Sequence, residues 1–279
     1  MSELSRSQID KLGRRLRRAG PNNVSDEDLD LLEAVLAAHG TVLATAQLRL
    51  AKTLGLPVTS RTKTTGTLVE KLQRSPNMAL SRMQDIAGAR LVAEMNRTDQ
   101  DQLVARIVEL FPGAEVKDRR AEPSYGYRAV HVIVAVDQRL VEIQVRTVLQ
   151  DLWAQVVERL ADRWGRGIRY GDLPNDPDTE VVGSYTRRQI IELLMDHSER
   201  VNELEVLAVN LVAVETMFVE SEKFLTAAKA HMALKSHPAV VEALQRTREQ
   251  KENVQESKDE HRKLEEETRE FLRLLRRLE

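Results

Sequence analysis

Two apolar runs separated by three residues constrain this chain more than any other feature. AVHVIVAV (129–136) and LVEIQV (140–145) are dense in branched side chains, and only Asp137-Gln138-Arg139 lies between them. Branched residues favour extended backbone, and so short a link leaves room for a hairpin and little else. A two-stranded hairpin is marginal by itself, so more strands or a covering helix are required. IAGARLVAEM (86–95), rich in small and branched residues, reads as a further, buried strand.

The segments around these strands carry helical spacing. Gly66 to Leu72 reads as a short helix stopped by SPN (75–77). Asp99 to Phe111 places Leu103, Ile107, Val108 and Phe111 on one side and stops at Pro112-Gly113. Thr147 to Trp164 reads as a long amphipathic helix, and GRGIRYGDLPNDPD after it as loop. Upstream, residues 1–20 are polar and basic and GPNN (20–23) is a loop. Ser25 is placed to cap a helix, with Asp28 three residues on. From about residue 184 the pattern is helical to the end, with a charged tail over 245–279 that is either a solvated helix or a coiled-coil arm. No internal repeat is visible. The expected fold is α+β: N-terminal helices (1–56), a mixed-sheet unit (57–172), and a long C-terminal helical region (184–279).

Composition removes several classes of function. The 279 residues suffice for one large domain or two smaller ones, and 42% hydrophobic content supports a packed core. Lys+Arg number 42 against 44 Asp+Glu, for a net charge of −2. That balance excludes a globally basic nucleic-acid coat but allows a local basic patch. There is no cysteine, so disulfides, zinc-thiolate sites, iron–sulfur clusters and thiol nucleophiles are excluded. No apolar run approaches membrane-spanning length and the N-terminus has no apolar signal core, so the expectation is a cytoplasmic protein without a membrane partner.

Chemistry gathers on or beside the strands. The phosphate-loop, dinucleotide and zinc-protease motifs are missing. Asp85 stands immediately before one strand and Glu142 lies inside another, on the same face as Gln144. A carboxylate among branched apolar residues is costly to bury unless it is compensated, by an ion pair or by a divalent ion. If the two strands are neighbours, Asp85 and Glu142 can converge on one Mg²⁺. Around them stand Arg61 and Lys63 in a loop, Lys71 on the following helix, Arg90 on the first strand, and Arg146. Two carboxylates among several cations suit a polyphosphate substrate. In SYGYRAVH (124–131), Gly126 marks close backbone approach. Tyr127 offers either a ring for a base or a strand-end contact, and His131 either a phosphate or sugar donor or a half-buried structural histidine.

In this order, RTKTTGTLVEKL (61–72), DIAGARLV (85–92), YGYRAVHVIV (125–134), VEIQVRT (141–147) and LWAQVVERLADRW (152–164) resemble the synthetase domain of the RelA/SpoT family of alarmone synthetases. The resemblance implies a mixed sheet similar to the palm of nucleotidyltransferases. It also implies an ATP-dependent, Mg²⁺-dependent pyrophosphokinase, in which a ribose 3′-hydroxyl of GDP or GTP takes pyrophosphate from ATP and AMP leaves. By position, Asp85 matches the magnesium ligand and Glu142 the second carboxylate, either a ligand or the base. Arg61 and Arg90 match residues that bracket adenine. Lys63, Thr67 and Lys71 match the phosphate-binding set. Tyr127 matches the residue that stacks on the acceptor base, with His131, Gln144 and Arg146 on the acceptor side.

Tyr125 and Ala129 depart from the usual small polar residue and serine, and YGYRAVH is similar to the toxin branch of small synthetases. That branch implies other acceptors, the 3′-terminal adenosine of tRNA or an adenosine nucleotide, and an antitoxin partner. Lys11, Arg14, Arg15, Arg17 and Arg18, with Arg119 and Arg120, would suit an RNA backbone. In small synthetases C-terminal helices also build homo-oligomers; here the stripe Ile190, Leu193, Leu194, Val201, Leu204, Leu207 and Leu211 serves either that or internal packing. A non-catalytic interaction protein on the same fold is the remaining reading.

Overall fold

The computed structural model describes residues 4–20, 23–230 and 237–278. Pro21 and Asn22 of the expected loop, residues 231–236 of the expected C-terminal helical stretch, and both chain ends lie outside the described residues. The chain forms two compact units. One comprises Met1–Glu94, Gln100–Glu122 and Ala129–Val148; the other comprises Met95–Asp99, Pro123–Arg128 and Leu149–Glu279.

The first unit is a sheet covered by helices. Helix α1 (Arg6–Ala19) opens with a reciprocal box in which Gln8 N donates to Ser5 Oγ and Ser5 N donates to Gln8 Oε1. Helix α2 (Asp26–Leu54) starts where expected, Asp28 N donating to Ser25 Oγ at 3.3 Å, and ends at Gly55 in the left-handed conformation. By length and composition α2 could cross a membrane. Scattered small and polar residues hide this from a search for unbroken apolar runs. Its buried residues, among them Leu32, Val35, Val42, Ala46, Leu50 and Leu54, make it a core helix of this unit.

The sheet holds β1 (Val58–Thr62), β2 (Ala87–Ala93), β3 (Glu115–Asp118), β4 (Val130–Val136) and β5 (Arg139–Thr147), in the order β1-β2-β5-β4-β3. Strands β2 and β5 are parallel, with Gly88 opposite Glu142; the other pairs are antiparallel. The expected hairpin is β4–β5. It turns on Asp137 and Gln138, both at positive φ, which matches the twist of paired strands. Arg61, expected in a loop, lies on β1, and Lys63 follows that strand directly. The reason is exposure. The three central residues of β1 face solvent, so this edge strand has no apolar alternation to read.

Alternation divides the sheet into two faces. Ala87, Ala89 and Leu91, with Val141, Ile143 and Val145 and with Val130, Val132 and Val134, are buried on one face, and α2 packs on the sheet. Across the other face run two registered rows, Arg61–Gly88–Glu142 and Arg90–Gln144–His131. Between β1 and β2, α3 (Thr65–Arg74) and a 3-10 turn (Leu80–Arg82) pack on α1 and α2 through Leu12, Leu16, Leu32, Leu68, Leu72, Leu80 and Ile86. Helix α4 (Arg97–Leu110) starts within the second unit and ends within the first.

The second unit is mainly helical. Helix α5 (Val148–Trp164) leads to a 3-10 turn (Arg166–Tyr170) and a small hairpin of β6 (Glu180–Val182) and β7 (Tyr185–Thr186). The 3-10 turn falls in the stretch read as loop (165–178), and the hairpin lies just beyond it, too short and polar to carry a periodic signal. Helix α6 (Arg187–Ala230) and helix α7 (Pro238–Arg276) then run antiparallel, joined by Lys258–Glu215 at 2.8 Å and Lys251–Glu222 at 2.7 Å. Their bases share a core with α5: Trp153, Leu160, Trp164, Ile190, Leu194, Val201 and Leu272 are buried together. Leu207 of the expected stripe is exposed, and further along α6 so are Val212, Met217 and Phe224.

Candidate active site

The polar face of the first unit gathers most of the residues singled out from sequence. Asp85 sits between the 3-10 turn and β2. Its Oδ2 accepts from Lys71 Nζ at 2.6 Å and lies 3.2 Å from Lys63 Nζ. Backbone pairing fixes Lys63 there, because Lys63 N donates to Ile86 O at 2.8 Å. Lys71 arrives from α3, whose first turn is set by Thr64: Thr67 N donates to Thr64 Oγ1 at 3.4 Å and Thr67 Oγ1 donates to Thr64 O at 3.0 Å. The other carboxylate oxygen, Asp85 Oδ1, is buried and has no hydrogen-bond partner. A buried acceptor left unmet costs about 1–3 kcal/mol, so this atom is held in place by the surrounding fold.

Glu142 occupies the adjacent strand. His131 Nδ1 lies 3.0 Å from its Oε1 and Gln144 Nε2 donates to its Oε2 at 2.7 Å. Gln144 in turn accepts from Arg146 Nη2 at 2.8 Å. Three alternate positions of β5, Glu142, Gln144 and the buried Arg146, therefore form one chain of bonds. Burial pushes the Glu142 carboxyl up, but the His131 ring, by hydrogen bond and by charge, the Gln144 amide and the Lys71 charge outweigh it and bring the pKa down to about 2. Glu142 is fully ionised at neutral pH. Lys71 binds Asp85 directly and acts electrostatically on Glu142, so the two carboxylates belong to one constellation.

Sequence reasoning missed two neighbours of this face. Lys117, on the four-residue edge strand β3, pairs in register with His131 and donates to Gln84 Oε1 at 2.7 Å. Neither residue lies in a segment long enough to show periodicity. Tyr127 belongs to the second unit, partly buried against the Trp153 core.

The basic residues considered for RNA separate into two kinds. Arg15 pairs with Asp28 at 2.6 Å, Arg17 donates to the carbonyls of Leu72 and Met78, and Arg120 is held by Asp118 and Asp101, each at 2.6 Å. Those three tie this unit together. Lys11, Arg14 and Arg18 are exposed on α1, and Arg119 is partly exposed.

Comparison with solved structures places this architecture in a known class. The crystal structure of small alarmone synthetase 1 from Bacillus subtilis superposes with a TM-score of 0.51 at 21% identity, covering 66% of this chain and 97% of that one. The fold is that of the small alarmone synthetases. Residues 60–161 match the family model described as the region found in RelA / SpoT proteins. An uncharacterized protein of Mycobacterium tuberculosis is 42% identical over 146 residues, 51% of this chain and 53% of its own length. The GTP pyrophosphokinase YjbM of Bacillus subtilis is 30% identical over 125 residues, 40% of this chain and 58% of its own length. The chain thus spans about half the length of the curated relatives it matches.

Proposed function

We propose that the chain is an ATP-dependent 3′-pyrophosphokinase whose acceptor is a guanosine nucleotide, GDP or GTP. The observation that carries this reading is the placement of Glu142 on β5 and of Asp85 just before the adjacent strand β2, with Lys71 bound to Asp85 and acting electrostatically on Glu142. The match of residues 60–161 to the RelA / SpoT region and the likeness to a GTP pyrophosphokinase support it.

The reaction forms a bond from the acceptor 3′-oxygen to the β-phosphorus of ATP and breaks the bond from that phosphorus to the oxygen bridging it to the α-phosphate. Pyrophosphate is transferred, AMP leaves, and the 3′-hydroxyl gives up a proton. Lys63, Lys71 and Thr67 hold the triphosphate, and Arg61 and Arg90 take the adenine. Tyr127 takes the acceptor base, while His131, Gln144 and Arg146 line the acceptor side. Catalysis of this type rests on positioning and charge neutralisation. A carboxylate with a pKa near 2 is a poor proton acceptor at neutral pH, so Glu142 acts through its charge.

The donor set fits Mg²⁺. Both candidate ligands are hard carboxylate oxygens, and Asp85 Oδ1 has no partner of its own. When bound by Asp85 and Glu142, Mg²⁺ would neutralise triphosphate charge.

Incubation with γ-labelled ATP and Mg²⁺, with GDP, GTP, ATP alone or bulk tRNA offered in parallel, tests the reading. Label is expected on the guanosine nucleotide, with AMP released in equal amount. Label on tRNA that is lost when the terminal adenosine is trimmed would replace it with the toxin reading. Absence of AMP with every acceptor would leave an interaction protein. The exposed cations Lys11, Arg14 and Arg18 favour the tRNA alternative. Reversing all three to glutamate is expected to leave GDP labelling within about twofold. Were tRNA the acceptor, its labelling would fall about tenfold or more and do so more steeply in low salt.

A further inference from the structure

The segment that carries Tyr127 is a strained turn. Tyr127 N donates to Ser124 O at 3.1 Å and Ser124 N donates to Tyr127 O at 3.3 Å, closing a two-residue loop of Tyr125 and Gly126. Both loop residues have positive φ, 50° and 78°. Glycine adopts that region freely; tyrosine does so at a cost of roughly 1–2 kcal/mol. Strain of this kind persists only where the surroundings over-determine it.

The surroundings here come from α6. Ser198 Oγ donates to Gly126 O and also accepts from Arg128 Nε at 3.2 Å. One hydroxyl can do both, since it has one proton and two lone pairs. Arg128 Nε also reaches Ser198 O at 3.2 Å, and Arg128 Nη2 pairs with Glu199. Trp153 Nε1 donates to Leu194 O at 2.7 Å, fixing the indole ring against Gly126. About two turns beyond Ser198 along α6, Glu205 accepts from Gln150 at 2.8 Å and from Arg97 at 3.2 Å. Arg128, Ser198 and Glu205 are all buried.

Apolar side chains would hold a helix in place as well or better than buried charges, whose desolvation cancels much of their attraction. What a fully bonded buried network adds is a single geometry. We propose that Ser198, with Arg128 and Glu199, is a positioning residue that fixes the Tyr127 turn for the acceptor base. The proposal rests on the reading that Tyr127 takes that base. Ser198 and Glu199 lie outside residues 60–161, so part of the acceptor specificity is supplied by the C-terminal helix rather than by the family region.

Ser198→Ala removes the donor to Gly126 O and one acceptor of Arg128, a loss of about one to two net hydrogen bonds. The acceptor KM, measured with whichever of GDP, GTP or tRNA the wild type labels, is expected to rise about 5- to 20-fold. The ATP KM should stay within about twofold because the turn is read as contacting the acceptor, and kcat should change little because stacking of a base is binding energy made before the transition state. Ser198→Thr, which keeps the hydroxyl, should restore most of the acceptor affinity. Hydrogen exchange supplies a readout free of catalysis: the Tyr127 amide of Ser198→Ala should exchange about 5-fold faster or more, with β4 and β5 amides unchanged. An active wild type whose Ser198→Ala variant keeps its acceptor KM, or raises both KM values together, overturns the proposal. Unchanged exchange at Tyr127 overturns it as well. An inert wild type sinks the pyrophosphokinase reading beneath it, and the exchange measurement still decides whether Ser198 holds the turn.

Discussion

Glu142→Gln is expected to abolish pyrophosphate transfer, lowering kcat by about 10³-fold or more while the chain stays folded. Glutamine keeps the shape of the side chain but not its charge. The carboxylate is ionised because His131, Gln144 and Lys71 hold it so, and on the proposed reading that charge would act on the phosphates through a bound Mg²⁺. Electrostatic groups in such sites contribute about 10²–10³-fold each, and if Glu142 holds Mg²⁺ as proposed, loss of that ligand would add to it. The check is single-turnover AMP release beside a thermal melt.

The same variant carries a pH signature. The folded-state pKa of Glu142 lies below its unfolded value, so its contribution to stability is fully present above about pH 4.5 and is lost as pH falls toward 2. Wild type should therefore exceed Glu142→Gln in urea midpoint at pH 6, and the gap should close between pH 4.5 and 2. A constant gap across that range would show that the His131 and Gln144 contacts do not depend on the carboxylate charge.

Gly126→Ala is expected to produce the largest loss of stability of any single methyl addition in the Tyr127 segment. At φ 78° alanine is strained by about 1–2 kcal/mol. A Cβ there would also sit 2.6 Å from Trp153 Cζ2 and 3.0 Å from Met195 Sδ. The indole cannot retreat without breaking its bond to Leu194 O. Overpacking of a core aromatic adds about 1–3 kcal/mol, for a total of about 2–5 kcal/mol. Urea unfolding should show a lower midpoint with an unchanged slope. If stability is unaltered, the turn is not clamped between Trp153 and α6, and the positioning role of Ser198 falls with it.

Much of this architecture was legible in residues alone. Strands β2, β4 and β5 announced themselves because a strand packed on a core must place branched apolar residues at every second position. Glu142 was conspicuous for the same reason: it interrupts such a pattern. Strands β1 and β3 were not legible, since edge strands exposed to solvent carry ordinary loop residues; Arg61 was therefore assigned to a loop. Asp28, read as half of a capping pair, uses its side chain on Arg15 instead, a partner that no local rule could supply. Arg17 and Arg120 looked like solvent-facing cations for an RNA, yet they bind carbonyls and carboxylates of their own unit.

Sequence by itself determined the periodic elements, the residue types that a phosphate-handling site needs, and the resemblance to the RelA/SpoT region. Tertiary structure alone decided which of those residues meet. Strand register set Gly88 opposite Glu142, placing its carboxylate in the same constellation as the Asp85 and Lys71 pair, and a serine on a helix distant in sequence became the clamp of the Tyr127 turn. The physical reason is range. Backbone preference and hydrophobic periodicity act over a few residues and are written locally. Hydrogen bonds and charge pairs depend on distances of about 3 Å between groups that only the folded chain brings together.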